Sequence, residues 1–114
     1  MAEFAFLFRA PTGGNIESQT QQTMQKWAAW LKELGEQGVI TNPGQPLAAG
    51  GKLVMGRNKV INDAPLAEVK DVVNGFIVVQ AKDISEAVAL SKGCPILERD
   101  GAVEIRPVRA INIR

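Results

Sequence analysis

The hydrophobic pattern changes period several times along the chain, and each change predicts an element. Phe4, Phe6 and Phe8 share one face of a period-two run, with Ala5 and Leu7 on the other, which predicts a strand over residues 3–9. Pro11-Thr12-Gly13-Gly14 breaks it. Met24, Trp27, Ala28, Leu31 and Leu34 then recur at helical spacing with Trp30 at the margin, while Gln22, Gln25, Lys26, Ala29 and Glu33 fill the wet side. Ser18 and Gln21 have the spacing of a capping box ahead of this helix, and Gly35 or Gly38 supplies its stop.

Val39-Ile40-Thr41 starts a second strand that Asn42-Pro43-Gly44 interrupts. Residues 52–55 and 59–61 flank Gly56-Arg57-Asn58 as a hairpin. Residues 62–74 read as irregular or briefly helical. A continuous apolar strand follows over residues 75–81. Asp83 and Glu86 repeat the capping-box spacing ahead of Ile84, Ala87, Val88 and Leu90, a second helix that ends at Gly93 before Pro95. Val103 and Ile105 alternate with Glu104 and Arg106 in a last strand, and Pro107, lacking an N–H, puts that strand at a sheet edge.

Two β-α-β halves around a hairpin predict one α+β domain over residues 1–114, with a ferredoxin-like βαββαβ layout and an antiparallel sheet carrying both helices on one face. The first strand and the Phe76 to Val79 run are apolar on both faces, which a half-exposed sheet disfavours. A symmetric second copy over the helix-free face is the simplest cover. The alternative is that the insert over residues 43–74 folds back across it.

Composition narrows the chemistry more than the fold. Thirteen basic and twelve acidic residues leave a net charge of +1, and the basic residues are scattered, so no nucleic-acid partner is expected. No apolar run is long enough for a membrane span, and Met1-Ala2-Glu3 opens without a basic leader, so a cytoplasmic location is expected. The chain has no histidine, no tyrosine and one cysteine. That removes imidazole acid–base catalysis, histidine-activated nucleophiles and the usual zinc clusters, so no metal and no cofactor is expected. Cys94 follows a helix C-terminus, where a thiolate is disfavoured, and reads as a packed thiol. Gly50-Gly51-Lys52 precedes a strand, not a helix, and so lacks the physics of a phosphate loop.

Carboxylates, cations and aromatics remain. Asp63 and Glu68 fall in the irregular stretch with Lys70 close by. Asp63 is the candidate general base or ligand anchor, with Lys70 its charge partner; alternatively Asp63 caps a turn at Pro65 while Glu68 and Lys70 are solvated. Arg9 and Arg106 flank strands expected to be neighbours and together suit a carboxylate or phosphate, or else bond to Glu3 or Glu104. Trp27 and Trp30 either line a cleft for a flat ligand or, Trp27 at least, belong to the core.

The run Asn62-Asp63-Ala64-Pro65-Leu66-Ala67-Glu68-Val69-Lys70-Asp71, followed by Asn74-Gly75-Phe76, resembles the signature of the YCII-related domain family in its DGPF branch. Ala64 stands where that branch has glycine, and Leu66 where it has an aromatic. Gly93-Cys94-Pro95, Leu34-Gly35 through Gly38-Val39, and the run from Val103 to Val108 are also similar, so the likeness covers nearly the whole chain. It implies a homodimeric α+β barrel of two face-packed sheets, with clefts between helix, sheet and signature loop. The histidine–aspartate pair proposed as catalytic in some relatives has no histidine here to carry it. The expected function is a small-molecule-binding dimer, with cofactor-independent catalysis by Asp63 in an interfacial cleft and with Arg9, Trp27, Pro65, Glu68, Lys70 and Arg106 as ligand contacts. The alternative is a non-catalytic regulatory or protein-interaction module.

Overall fold

A computed structural model describes residues 1–11, 21–66 and 68–111. Eight regular elements follow in order: β1 (Ala2–Pro11), α1 (Gln21–Glu36), β2 (Ile40–Pro46), β3 (Gly51–Met55), β4 (Val60–Ala64), β5 (Asp71–Ala81), α2 (Ile84–Ser91) and β6 (Ala102–Pro107). A short 3-10 helix, Pro95–Arg99, precedes β6. Four strands form one antiparallel sheet in the order β2-β5-β1-β6, and β3 and β4 form a separate two-stranded hairpin. With the hairpin set aside, this is the ferredoxin-like order, an α+β fold. The hairpin is an insertion between its second and third core strands.

One face of the sheet makes the core. Phe4, Phe6 and Phe8 of β1 and Ile77, Val79 and Ala81 of β5 are buried together with Trp30 and Leu34 of α1, Ala87 of α2, Cys94 and Ile96. Both helices therefore lie on the same side. The buried stripe of α1 runs through Trp30 and Leu34, four residues apart, so Trp30 is core, not marginal, and Ala28 is exposed. Trp27 and Leu31 form the adjoining flank and are half-buried.

Among the described residues no helix lies on the opposite face. The register sets Leu7 between Phe76 and Glu104, and Ala5 between Val78 and Arg106, so this face is an apolar patch edged by charge. All four apolar residues are half-buried. The molecule measures 44 × 44 × 21 Å, and the short dimension is about that of one sheet under one helix layer.

The hairpin does not cover that face. Val54 and Ile61, paired across it, are 66% and 67% exposed, and Val60 is 54% exposed. It is an arm that packs chiefly on itself. The radius of gyration, 15.6 Å, exceeds the about 13 Å of a compact domain of this size for the same reason.

Two expectations are corrected. Residues 60–64 are the second strand of the arm and β5 begins at Asp71, so the irregular stretch shrinks to residues 65–70, and its described residues hold no helix. Asn74-Gly75 forms a bulge within β5: Phe8 pairs with Gly75 and Arg9 with Val73, leaving Asn74 as the extra residue. Asn42-Pro43-Gly44 likewise bulges β2 without ending it. An edge strand tolerates the two prolines, because their missing N–H groups need no ladder partner there. The Pro107 inference is met, since β6 is the other edge. Asp83 caps α2, with the Glu86 N–H donating to Asp83 Oδ1 at 2.9 Å, while Glu86 Oε1 accepts the N–H of Lys82 at 3.1 Å in place of the N-cap N–H. Ser18 and residues 12–14 lie outside the described residues.

Candidate functional site

Phe8 is where the core meets a cavity. Its ring packs edge-on against Trp27 at 5.0 Å and against Trp30 at 5.9 Å, and the two indoles meet edge-to-face at 5.9 Å. Trp30 turns into the core, whereas Trp27 forms a wall of a cavity of about 380 Å³. Met24 and Leu31 of α1, Pro46 of β2 and Ile96 of the 3-10 helix line it as well. The volume suits a small organic molecule.

Two tight approaches fix the cavity's outline. Gly44 sits at φ +62°, and a Cβ there would overlap the carbonyl oxygen of Phe76. Only glycine lets the β2 bulge close onto β5, and that bulge carries Pro43, Gln45 and Pro46 to the rim. At the other end a Cβ on Gly101 would come within 2.8 Å of the Arg9 carbonyl and 2.7 Å of the Ile96 carbonyl. This contact seats the 3-10 helix against the sheet, with Pro95 and Ile96 buried and Arg99 at the cavity edge. Lys26 of α1 holds the preceding Glu98 at 3.2 Å, tying that helix to α1 as well.

The electrostatics of the lining are simple. Gln45 and Asn74 supply amides, and Arg99 is the one ionisable side chain among the described residues that line the cavity. No carboxylate faces it from those residues.

The residues expected from the sequence fall into three separate places. Trp27 lines the cavity. Arg9 and Arg106 lie on the helix-free face, joined through Glu104: Arg9 Nη1 donates to Glu104 Oε1 at 3.3 Å, and Arg106 Nη1 donates to Glu104 Oε2 at 3.2 Å. Arg9 also grips Asp71 as a fork, Nη2 to Oδ1 at 2.8 Å and Nε to Oδ2 at 3.3 Å. The guanidinium holds the Asp71 carboxyl below its ordinary range, and the carboxylate in turn raises Arg9. Asp63 stands on the arm, 85% exposed and paired with Lys52. Pro65, Glu68 and Lys70 are exposed in the segment leading from the arm to β5. Within one chain, Asp63 and Trp27 do not share a site.

No local pattern marks Phe8, Met24, Leu31, Pro46, Ile96 and Arg99 as a group, since each reads as core, bulge or loop. The one usable signal was the flank of α1, where Met24, Trp27 and Leu31 extend the apolar stripe beyond what a single sheet contact needs. Cys94 is buried, and burial pushes its thiol up to about 12, as a packed thiol requires. Among the described residues no cluster of Cys, Asp or Glu has the makings of a metal site, and no helix there is long and apolar enough to cross a membrane.

The family model for the YCII-related domain matches residues 4–112. The chain belongs to the YCII-related domain family. No curated protein matches it significantly. In this YCII-related chain the signature run forms the outgoing strand of the arm and its return to β5. The cavity is built by the end of β1, α1, the two bulged strands and the 3-10 helix.

Proposed function

We propose that this YCII-related protein binds a small, mainly apolar molecule in the cavity beneath α1, and does so as a homodimer. One observation carries the binding: a cavity of about 380 Å³ walled by Met24, Trp27, Leu31, Pro46 and Ile96, with few polar groups at its edge. Helix–sheet contacts of ordinary cores are close-packed, and a space this large left open at their margin is a place for a ligand.

The dimer reading rests on the helix-free sheet face. Ala5, Leu7, Phe76 and Val78 make a contiguous half-buried patch on a 21 Å slab, and a second copy of the same sheet is its natural cover. The apposition gives Asp63 one route to a ligand, from the arm of the second copy. Assignment to the DGPF branch goes with this reading, on Asp63-Ala64-Pro65-Leu66 and its return to β5, as does a cytoplasmic setting for a chain without histidine or disulfide pairing.

A second reading, a protein-interaction module, is favoured by the arm alone, whose Val54, Val60 and Ile61 are exposed. Native mass spectrometry of gently purified protein separates the two. The binding reading expects a dimer with a defined small-molecule adduct that Leu31→Trp, which fills the cavity, removes without splitting the dimer. An adduct-free dimer holding a stoichiometric protein partner would support the module instead.

A further inference from the structure

The arm is apolar on both faces, and both are exposed. Strand alternation puts Val54 and Ile61 on one side of the hairpin with Lys52 and Asp63, and Met55 and Val60 on the other with Asn62. All four apolar side chains are exposed. A two-stranded hairpin with both faces in water is at best marginally stable, and packing against a further surface is what makes one hold.

The size of the arm restricts what that surface is. Its five-residue strands make a face on the order of 200 Å², against about 800 Å² per partner in a stable interface. The arm is too small to hold a partner by itself, so it adds to a contact made elsewhere on the same molecule. The apolar patch of Ala5, Leu7, Phe76 and Val78 is such a contact, and the arm leads into it, since β4 returns to β5, which carries Phe76 and Val78. The molecule is 21 Å thick with the arm included, so the arm runs in the plane of the sheet and projects beyond it.

Charge favours a second copy as the occupant. Residues 51–64 carry Lys52, Arg57 and Lys59 against Asp63, a net charge of +2, while ten cations and eleven carboxylates leave the rest of the chain at −1. Lys52 is held by Asp63, and Arg57 and Lys59 stand exposed in the turn at the tip. Arms of this sign repel one another and are attracted to the body of their own kind.

From this we infer that the arm is a clasp on a second copy of the chain: its apolar side chains lie against that copy's body beside the sheet-face contact, with Arg57 and Lys59 toward its carboxylates. The inference rests on the dimer reading.

Sedimentation equilibrium of the full chain tests it with three double variants. Val54→Ser with Ile61→Ser strips one face of the arm, Met55→Ser with Val60→Ser strips the other, and Arg57→Glu with Lys59→Glu reverses the tip. The variant of the clasping face should raise the dimer Kd at least about tenfold, as loss of two buried aliphatic side chains predicts. Charge reversal should raise it as well, and by less in high salt. Ile61→Cys and Val60→Cys, one on each face, add a readout that unravelling of the arm would not produce. Cys94 is buried, so the introduced thiol alone reacts, and on the clasping face it should be protected in the dimer and labelled promptly after dilution to monomer. Kd values equal to the parent's in all three variants, or labelling of both thiols that ignores dilution, would overturn the clasp and leave the dimer, its arm free for another partner. A parent that is monomeric at every concentration would overturn the clasp and the dimer reading together.

Discussion

Phe8 and Trp27 meet edge to face at 5.0 Å with their planes 81° apart, and this contact joins the sheet core to the cavity wall. Phe8 is 6% exposed and belongs to the core, whereas Trp27 is half-buried and belongs to the cavity. The two indoles of α1 therefore have different work, though they are only three residues apart. Trp30→Ala should cost about 3–5 kcal/mol in urea unfolding, as large core truncations do. Trp27→Ala should cost less than that, because part of its surface already faces the cavity, yet it should abolish binding of 1-naphthoate, a small, mainly apolar probe. Equal losses of stability would mean that Trp27 is core after all.

The Arg9–Asp71 fork ties β1 to the start of β5, and its pH dependence has a definite sign. The folded protein holds Asp71 below its unfolded pKa, so the stabilisation is present above the unfolded value of about 3.9 and is lost as pH falls through the folded one. Asp71→Asn should therefore be less stable than the parent by a constant margin from neutral pH down to about 5, and the margin should shrink on further acidification. Both carboxylate and guanidinium are partly exposed, so added salt should also reduce it. A margin that widens in acid would contradict the assignment.

Gly44→Ala should be destabilising by about 1–3 kcal/mol, because it places a Cβ on the Phe76 carbonyl and asks alanine for a left-handed φ. The β2 bulge would have to open, moving Pro46 away from Trp27. Chemical unfolding reports the first effect and weaker naphthoate binding the second. A parent-like variant would show that the bulge is not what sets the cavity's rim.

Cys94 should be silent in the folded protein. Its thiol is 2% exposed and pushed up to about 12, so a disulfide reagent at pH 8 should label it only at the rate of unfolding. Prompt labelling of native protein would be inconsistent with that burial.

Leu7 occupies the middle of the helix-free face, between Phe76 and Glu104. Leu7→Lys adds a charge there without touching the helix-side core. Sedimentation should show the parent as a dimer and this variant as a folded monomer. A monomeric parent would remove the dimer from the account.

The core of the fold was legible because its signals are local and periodic. Phe4, Phe6 and Phe8 alternate, Asp83 and Glu86 cap, and Pro107 marks an edge, and each of these needs only a few neighbouring residues to be read. The bulges were not legible: Asn42-Pro43-Gly44 and Asn74-Gly75 carry the composition of turns, and only long-range pairing with β5 and β1 keeps the chain extended through them. The candidate site was legible in one residue, Trp27. Attention to carboxylates and paired arginines led to Asp63, Arg9 and Arg106, whereas the cavity is walled by apolar residues from five elements distant in sequence. Arg99, the one charged member among the described lining residues, lies in a 3-10 turn that has no periodic pattern.

The most direct test of the central claim is methyl NMR of the full chain during titration with 1-naphthoate. Shifts should concentrate on the methyls of Met24, Leu31, Leu47 and Ile96, which line the cavity. Leu7 on the helix-free face and Val54, Val60 and Ile61 on the arm should stay in place. Shifts confined to the arm or to the helix-free face, or no shifts at saturating probe, would contradict a ligand site beneath α1.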